Sequence, residues 1–296
     1  MDALYNAAKP RVVAIGGPTA TGKTALSVAL AKRFGGEIIS ADSMQIYQGL
    51  DVGTAKVTPE EMQGVPHHLV GFLAPEQAFS VADFTTLAGK TITQLTARGK
   101  LPLVVGGTGL YITSLLNGIG FTPEKVDPAI RQELQARLQA EGSQALYAEL
   151  AAVDPGYAAK VHPNNTPRVI RALELYRATG RKMSAEREAA RPAEKPYRSL
   201  CLCLTCRDRT LLYQRIDTRC DRMMQSGILE EAKLVYDHRD TYRTAAQAIG
   251  YKEYFPYFEG TQTQAECTEK LKQATRNYAK RQLTWFRNQN DAVWLY

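Results

Sequence analysis

Residues 17–24 read Gly17, Pro18, Thr19, Ala20, Thr21, Gly22, Lys23, Thr24, directly after the apolar run Val12, Val13, Ala14, Ile15. This is the spacing G-x-x-x-x-G-K-[ST] in the context its mechanism needs, a buried strand before and an amphipathic helix after. The glycines let the backbone curl until its N–H groups point inward at an anion. The helix that follows, with Ala25, Leu26, Val28, Ala29 and Leu30, adds its positive N-terminal end. Lys23 is placed to reach a terminal phosphate and Thr24 to ligate Mg²⁺. The loop predicts a polyphosphate site at the edge of an α/β sheet.

Three textures then follow along the chain. Up to about Gly118, short and nearly continuous apolar runs at residues 12–15, 37–40 and 101–105 look like buried parallel strands. Residues 80–97, with Phe84, Leu87, Ile92 and Leu95, predict a helix ending at Gly99. From about Phe121 to Pro196 only helices are expected. Asp127 and Pro128 open one that carries Ile130, Leu134 and Leu138 and stops at Gly142; another carries Val169, Leu173 and Tyr176 before Gly180. Pro192 and Pro196 punctuate a return to strand at residues 198–205, and a mostly helical remainder, rich in Tyr and Arg, closes on the short apolar run 292–296. The expected fold class is α/β, a P-loop NTPase-like parallel sheet core with helices on both faces. Residues 1–119 and 197–296 would form that core, and residues 120–196 an all-helical insertion domain.

A chain of 296 residues with 44% apolar and 23% charged residues is an ordinary globular protein of more than typical single-domain length. No stretch is apolar for long enough to span a bilayer, and residues 1–6 lack a secretory pattern, so a cytoplasmic protein without a membrane partner is expected. Five cysteines without a disulfide framework agree with a reducing compartment. Cys201, Cys203 and Cys206 suggest a metal, but they fall on or beside a predicted strand. Cys220 and His238, the nearest further candidates, lie on other elements, which argues against zinc. The formal charge of +7 fits an anionic partner, although solubility alone accounts for a modest excess.

Two further segments bear chemistry. Asp42, in Ser40-Ala41-Asp42-Ser43-Met44-Gln45-Ile46-Tyr47, follows the second strand at the sheet edge that lines a ligand crevice in such folds. It could accept a proton from a nucleophile or hold Mg²⁺ through water; equally, it could cap the next turn. Thr108, in Gly106-Gly107-Thr108-Gly109-Leu110-Tyr111, ends the 101–105 strand at the same edge, and its spacing favours a helix N-cap. Lys272, Arg276 and Lys280 form a helical stripe continuing toward Arg287, with Tyr278, Trp285 and Phe286 interleaved. That pattern points to RNA more than to a solvated face.

Taken in order, the P-loop, D-S-M-Q-I-Y, G-T-A-K at 53–56, V-P-H-H at 65–68, G-G-T-G-L-Y, H-P-N-N-T-P-R-V-I-R-A-L-E at 162–174, L-Y-Q-R-I-D-T-R-C-D-R-M at 212–223, A-I-G-Y-K-E at 248–253 and K-R-Q-L-T-W-F-R at 280–287 closely resemble the bacterial tRNA dimethylallyltransferases. The likeness spans nearly the whole chain. It implies dimethylallyl diphosphate as donor, Mg²⁺ as cofactor, a monomer, and a helical insertion that grips the tRNA anticodon stem-loop. The acceptor would be the exocyclic amine of the adenosine 3′ of the anticodon, in tRNAs reading codons that begin with U.

Carried across residue by residue, the resemblance makes Asp42 the general base and Thr108 the donor to the diphosphate. Lys23 and the rest of the P-loop would hold that diphosphate, with Arg219 clamping it from across the channel. It assigns tRNA contacts to Asp42, Ser43, Met44, Gln45 and Thr108. Further contacts fall to Arg131 with Thr166, Pro167, Arg168, Val169 and Ile170, to Gln247, Gly250, Tyr251 and Lys252, and to Lys280, Arg281, Gln282, Trp285 and Arg287. Thr21 stands where many relatives have Ser, and Cys220 where an aromatic or Val is common; neither change alters the reading. A P-loop kinase, prenyl transfer to free adenine nucleotides and a non-catalytic RNA-binding module are the competing readings. The kinase leaves the motifs after Thr108 unexplained, and the tRNA-type insertion and basic C-terminal helix weigh against free nucleotides. RNA binding alone does not require the Asp42–Thr108 crevice.

Overall fold

Six runs pair into one parallel sheet: β1 (Arg11–Gly16), β2 (Gly36–Ser40), β3 (His67–His68), β4 (Leu101–Val105), β5 (Arg198–Leu204) and β6 (Ala292–Leu295), in the order β3-β2-β4-β1-β5-β6. The computed structural model describes residues 9–121, 127–190, 192–289 and 291–296; residues 1–6, which lack a secretory pattern in sequence, lie outside them. Val12, Ala14, Ile15, Ile38, Ile39, Leu103 and Val104 are all buried. Strands covered on both faces have no reason to alternate, so their sequences are continuous in apolar residues.

The helices in chain order are α1 (Lys23–Phe34), α2 (Pro59–Met62), α3 (Val81–Ala97), α4 (Gly109–Leu116), α5 (Pro128–Glu141), α6 (Ser143–Val153), α7 (Pro155–Ala158), α8 (Thr166–Thr179), α9 (Met183–Ala189), α10 (Arg209–Gln225), α11 (Ile228–Asp237), α12 (Phe255–Phe258) and α13 (Gln264–Arg287). One face of the sheet, through Val12, Ala14, Ile39 and Val104, packs on Phe84, Ala88 and Ile92 of α3 and on Tyr111 and Leu115 of α4. The other, through Ile15, Ile38 and Leu103, packs on Val28 and Ala31 of α1. Helices on both faces are what a parallel sheet requires. A further core gathers α10, α11 and α13 around Tyr47, Tyr251 and Tyr254. Capping boxes fix three helix starts, Thr58 with Glu61 on α2, Ser80 with Asp83 on α3 and Thr263 with Glu266 on α13.

The chain divides into two units, Met1–Asn117 with Lys195–Tyr296, and Gly118–Glu194; the limits expected from sequence were 120 and 196. The second unit is helical, with Leu134, Leu146, Leu150 and Leu173 at its centre. Buried in it is Glu174, neutralised by a two-point bond from Arg131, with Nη2 at 3.0 Å. Among the described residues no helix is long and apolar enough to cross a membrane.

β3 was not expected from the sequence. It is two histidines long, and His68 Nε2 lies 2.7 Å from the buried carboxylate of Glu37 on the neighbouring strand, where Arg98 also bonds at 2.9 Å. Burial raises the pKa of Glu37, but these two partners outweigh it and hold the group below its usual range.

Candidate active site

The P-loop joins β1 to α1 at the carboxyl end of the sheet. Gly17 has φ +129°, and a Cβ there would stand 2.3 Å from the Leu204 carbonyl oxygen, so only glycine fits between β1 and β5. The turn is closed by Thr21 Oγ1, which donates to the Pro18 carbonyl at 2.9 Å, and by Lys23 Nζ, which donates to that same oxygen. The first turn of α1 holds no acidic residue, leaving its positive end for an outside anion.

Lys23 and Arg219 of α10 face this loop with their charges uncompensated by direct contact. Among the described residues neither takes part in an ion pair. Burial first, and then the Arg219 charge, bring the pKa of Lys23 down to about 7, and Asp42 opposes both effects. Burial likewise depresses Arg219, again opposed chiefly by Asp42. Two cations and one carboxylate therefore share a poorly solvated site, a deficit of negative charge that an anionic ligand would fill.

Asp42 follows β2. Its Oδ1 accepts from the backbone N–H groups of Met44 (2.9 Å) and Gln45 (3.3 Å), which is the turn role expected of an Asp. Its Oδ2 has no hydrogen bond among the described residues, so the two readings of this residue are compatible: one oxygen holds the turn and the other stays unengaged. Thr108 corrects its spacing-based reading. It occupies the N-cap position of α4, but its side chain caps nothing; Oγ1 instead accepts the Ser43 N–H at 3.1 Å and reaches Ser43 Oγ at 3.4 Å. The hydroxyl thus joins the loop after β4 to the loop that carries Asp42.

α13 completes the arrangement with residues that the sequence reading set toward RNA. Tyr278, counted above as an aromatic beside an RNA stripe, has its pKa pushed up to about 12 by burial and by the Asp42 charge, against hydrogen bonds with Thr108 and Gln282. Gln282, expected as an RNA contact, is buried, and its amide joins Thr19 of the P-loop to Gly107. The stripe itself is divided. Arg276 bonds Asp217 of α10 at 2.6 Å, and Lys272 bonds Asp221 at 2.8 Å and Glu269 at 3.1 Å, so these two fasten α13 to α10 and do not face solvent as a free pair. Lys280, Arg281 and Arg287 are exposed; Lys280 lies over the Tyr213 ring and Arg281 over the Tyr278 ring.

The other expected RNA contacts separate by burial. Gln247, Lys252, Pro167 and Arg168 are exposed, and Ser43, Met44, Gln45 and Thr166 half-buried. Gln45 also donates to the carbonyls of Thr54 and Ala55. By contrast Val169, Ile170 and Tyr251 are core residues. Val169 and Ile170 sit at the helical spacing that points them inward. The Gly250 N–H is taken by Glu253 at 2.9 Å, and the Trp285 indole N–H by Thr113 at 3.1 Å. Arg131 is bound to Glu174 as described. A residue the sequence did not single out, Glu231 of α11, accepts the backbone N–H groups of Asp51, Val52 and Gly53 and the Tyr251 hydroxyl, all within 2.9 Å. Its only sequence signal is an acidic residue in a helix's first turn.

A family model described as IPP transferase matches residues 45–289, and one described as isopentenyl transferase matches residues 10–70. The chain belongs to the IPP transferase family. The tRNA dimethylallyltransferase of Bacillus subtilis strain 168 is 51% identical over 289 residues, 98% of this chain and 91% of that protein. Among solved structures, the full-length tRNA isopentenylpyrophosphate transferase from Bacillus halodurans is 47% identical with a TM-score of 0.71, covering 97% of this chain and 90% of that one. A eukaryotic dimethylallyltransferase acting on tRNA is 32% identical with a TM-score of 0.80, over 96% of this chain and 73% of that one. Within this IPP transferase the matched span holds Asp217, Arg219 and the whole of α13, the elements that complete the site around the P-loop.

Proposed function

We propose that this IPP transferase moves a dimethylallyl group from dimethylallyl diphosphate to the exocyclic amine of the tRNA adenosine 3′ of the anticodon, in tRNAs reading codons that begin with U. One observation carries the reading: Lys23 and Arg219 lie close enough to Asp42 for each to feel its charge, and Asp42 spends only one of its oxygens on the turn. A phosphate-binding loop alone would serve a kinase equally; the clamp on the far side suits a diphosphate that must leave.

The adenine amine is a weak nucleophile because its lone pair is delocalised into the ring. Bond formation from that nitrogen to the terminal allylic carbon accompanies rupture of the carbon–oxygen bond, and diphosphate departs with the electron pair. Lys23, Arg219 and the loop's N–H groups stabilise the charge that develops on the leaving oxygens, and Thr108 donates to it. The amine becomes acidic only as the new bond forms, so Asp42 takes its proton late. To reach that carbon the adenine must leave its stack. Exposed Lys280, Arg281, Arg287, Lys252 and Arg168 supply phosphate contacts for the anticodon stem-loop.

The residues present fit Mg²⁺. The Thr24 hydroxyl makes no hydrogen bond among the described residues and Asp42 keeps one oxygen unengaged, while among the described residues no group of three His, Cys, Asp or Glu is placed to hold a metal by itself. Thr24, with Asp42 through water, would hold the ion against the diphosphate, where it neutralises leaving-group charge. Incubation with dimethylallyl diphosphate, Mg²⁺ and unmodified tRNA, followed by nucleoside mass analysis, tests the proposal. N6-dimethylallyladenosine at that position is expected, with a higher Mg²⁺ requirement in Thr24→Ala. Rapid tRNA-independent ATP hydrolysis without prenylated adenosine would replace it with the kinase reading.

A further inference from the structure

Gln282 lies on α13, one helical turn beyond Tyr278, and divides its amide between the two loops of the site. Oε1 accepts the Thr19 N–H at 3.0 Å, and Nε2 donates to the Gly107 carbonyl at 2.9 Å. The fit leaves no slack, since a Cβ on Gly107 would stand 2.1 Å from Nε2. The side chain is 5% exposed, so these bonds form away from competing water. Thr19 belongs to the phosphate-binding loop; Gly107 immediately precedes Thr108. Of the natural side chains of this length, only a neutral amide offers both an acceptor and a donor for such a bridge.

We propose that Gln282 is a positioning residue for the transfer reaction, setting the distance between the loop that holds the diphosphate and the hydroxyl of Thr108 that donates to it. The inference rests on the function proposed above and reassigns a residue expected to touch RNA. Thr108 Oγ1 accepts the Ser43 N–H, also meets the Tyr278 hydroxyl, and donates to Ser43 Oγ only across 3.4 Å. That bond is long enough for a charged leaving oxygen to displace. Whether the hydroxyl meets that oxygen then depends on where the Gly107–Thr108 segment stands relative to the P-loop, and Gln282 spans that gap.

Single-turnover transfer with saturating dimethylallyl diphosphate and an unmodified tRNA transcript, together with tRNA binding, reads the effect. Gln282→Met fills the space without making either bond. It is expected to slow transfer about 10²-fold, the scale of a misplacement of about 1 Å, while tRNA affinity stays within about twofold. Because Gln282 acts through Thr108, Gln282→Met combined with Thr108→Ala should lose clearly less than the product of the two single losses. Gln282→Glu, which keeps the Thr19 bond and sets an oxygen against the Gly107 carbonyl, repeats the cycle if the Met variant folds poorly. Fully multiplicative losses would overturn the proposal, as would transfer at the wild-type rate with tRNA affinity reduced, which would mark an RNA contact. A wild-type protein that prenylates no tRNA at all refutes the function itself and is recognised before any variant is made.

Discussion

Raising the pH from 7 to 8 should weaken donor binding about fivefold through Lys23 alone. The free site holds this lysine at a pKa of about 7, because burial and the Arg219 charge disfavour its ammonium form. A diphosphate against Nζ offsets both effects with its own negative charge and returns the group toward its ordinary value of about 10.4. The bound state therefore holds more protons than the free state, and affinity must fall as pH rises between those two values. With half the free molecules protonated at pH 7 and about one in eleven at pH 8, binding takes up about 0.5 proton at the first pH and about 0.9 at the second. From pH 8 to 9 the same relation gives a further loss of about ninefold. Calorimetric titration of dimethylallyl diphosphate in buffers of different ionisation enthalpy measures that uptake directly. Lys23→Arg keeps its charge throughout and should abolish the uptake, separating it from any titration of the ligand. Binding at pH 8 with no proton uptake, or affinity that rises with pH, would refute the reasoning. The free protein carries the converse sign: charged Lys23 opposes folding below about pH 7, and that penalty is relieved as the pH climbs toward the unfolded value.

Asp42→Asn should slow transfer by about 10²–10⁴-fold without unfolding the loop, since an amide oxygen can still accept from Met44 and Gln45; full single-turnover activity would leave Asp42 only its turn role. Charge reversal of Lys280 and Arg287 should flatten the dependence of log K for tRNA on log salt by about 0.7–0.9 for each phosphate that is no longer neutralised. Reversal of Arg276 should instead lower the melting temperature, with recovery on adding Asp217→Arg; an unchanged melting temperature would return Arg276 to the RNA surface. Glu231→Ala strands the Val52 and Gly53 N–H groups and the Tyr251 hydroxyl, besides the exposed Asp51 N–H, and should cost about 3 kcal/mol, at about 1 kcal/mol for each of the three less exposed groups, read from urea unfolding.

The buried strands were legible because burial on both faces writes itself as unbroken Val, Ile and Leu, and the helix ends because Ser80, Gly142 and Gly180 mark them locally. β3 was not, since two histidines, one of them held by Glu37, carry no apolar signal. Periodicity also misjudged Lys272 and Arg276: it records which side of α13 they occupy but not that Asp217 and Asp221, on another helix, are there to meet them. Gln282 was hidden for the same reason, as its partners Thr19 and Gly107 are distant in sequence. The P-loop, Asp42 and Arg219 could be named because short motifs hold them, while their nearness to one another comes from tertiary contact.

The sheet order has a consequence during synthesis. β1 bonds β4 on one side and β5 on the other, and the whole Gly118–Glu194 unit is translated between those two partners. Once β4 has docked, the other edge of Val13 and Ile15 stays unpaired until β5 leaves the ribosome, about 100 residues later, or about 5–20 s at ~5–20 residues per second. During that interval the nascent chain carries an open apolar edge of the kind that recruits foreign strands, so dependence on chaperones should persist while the inserted helices are being made and end only when β5 follows them.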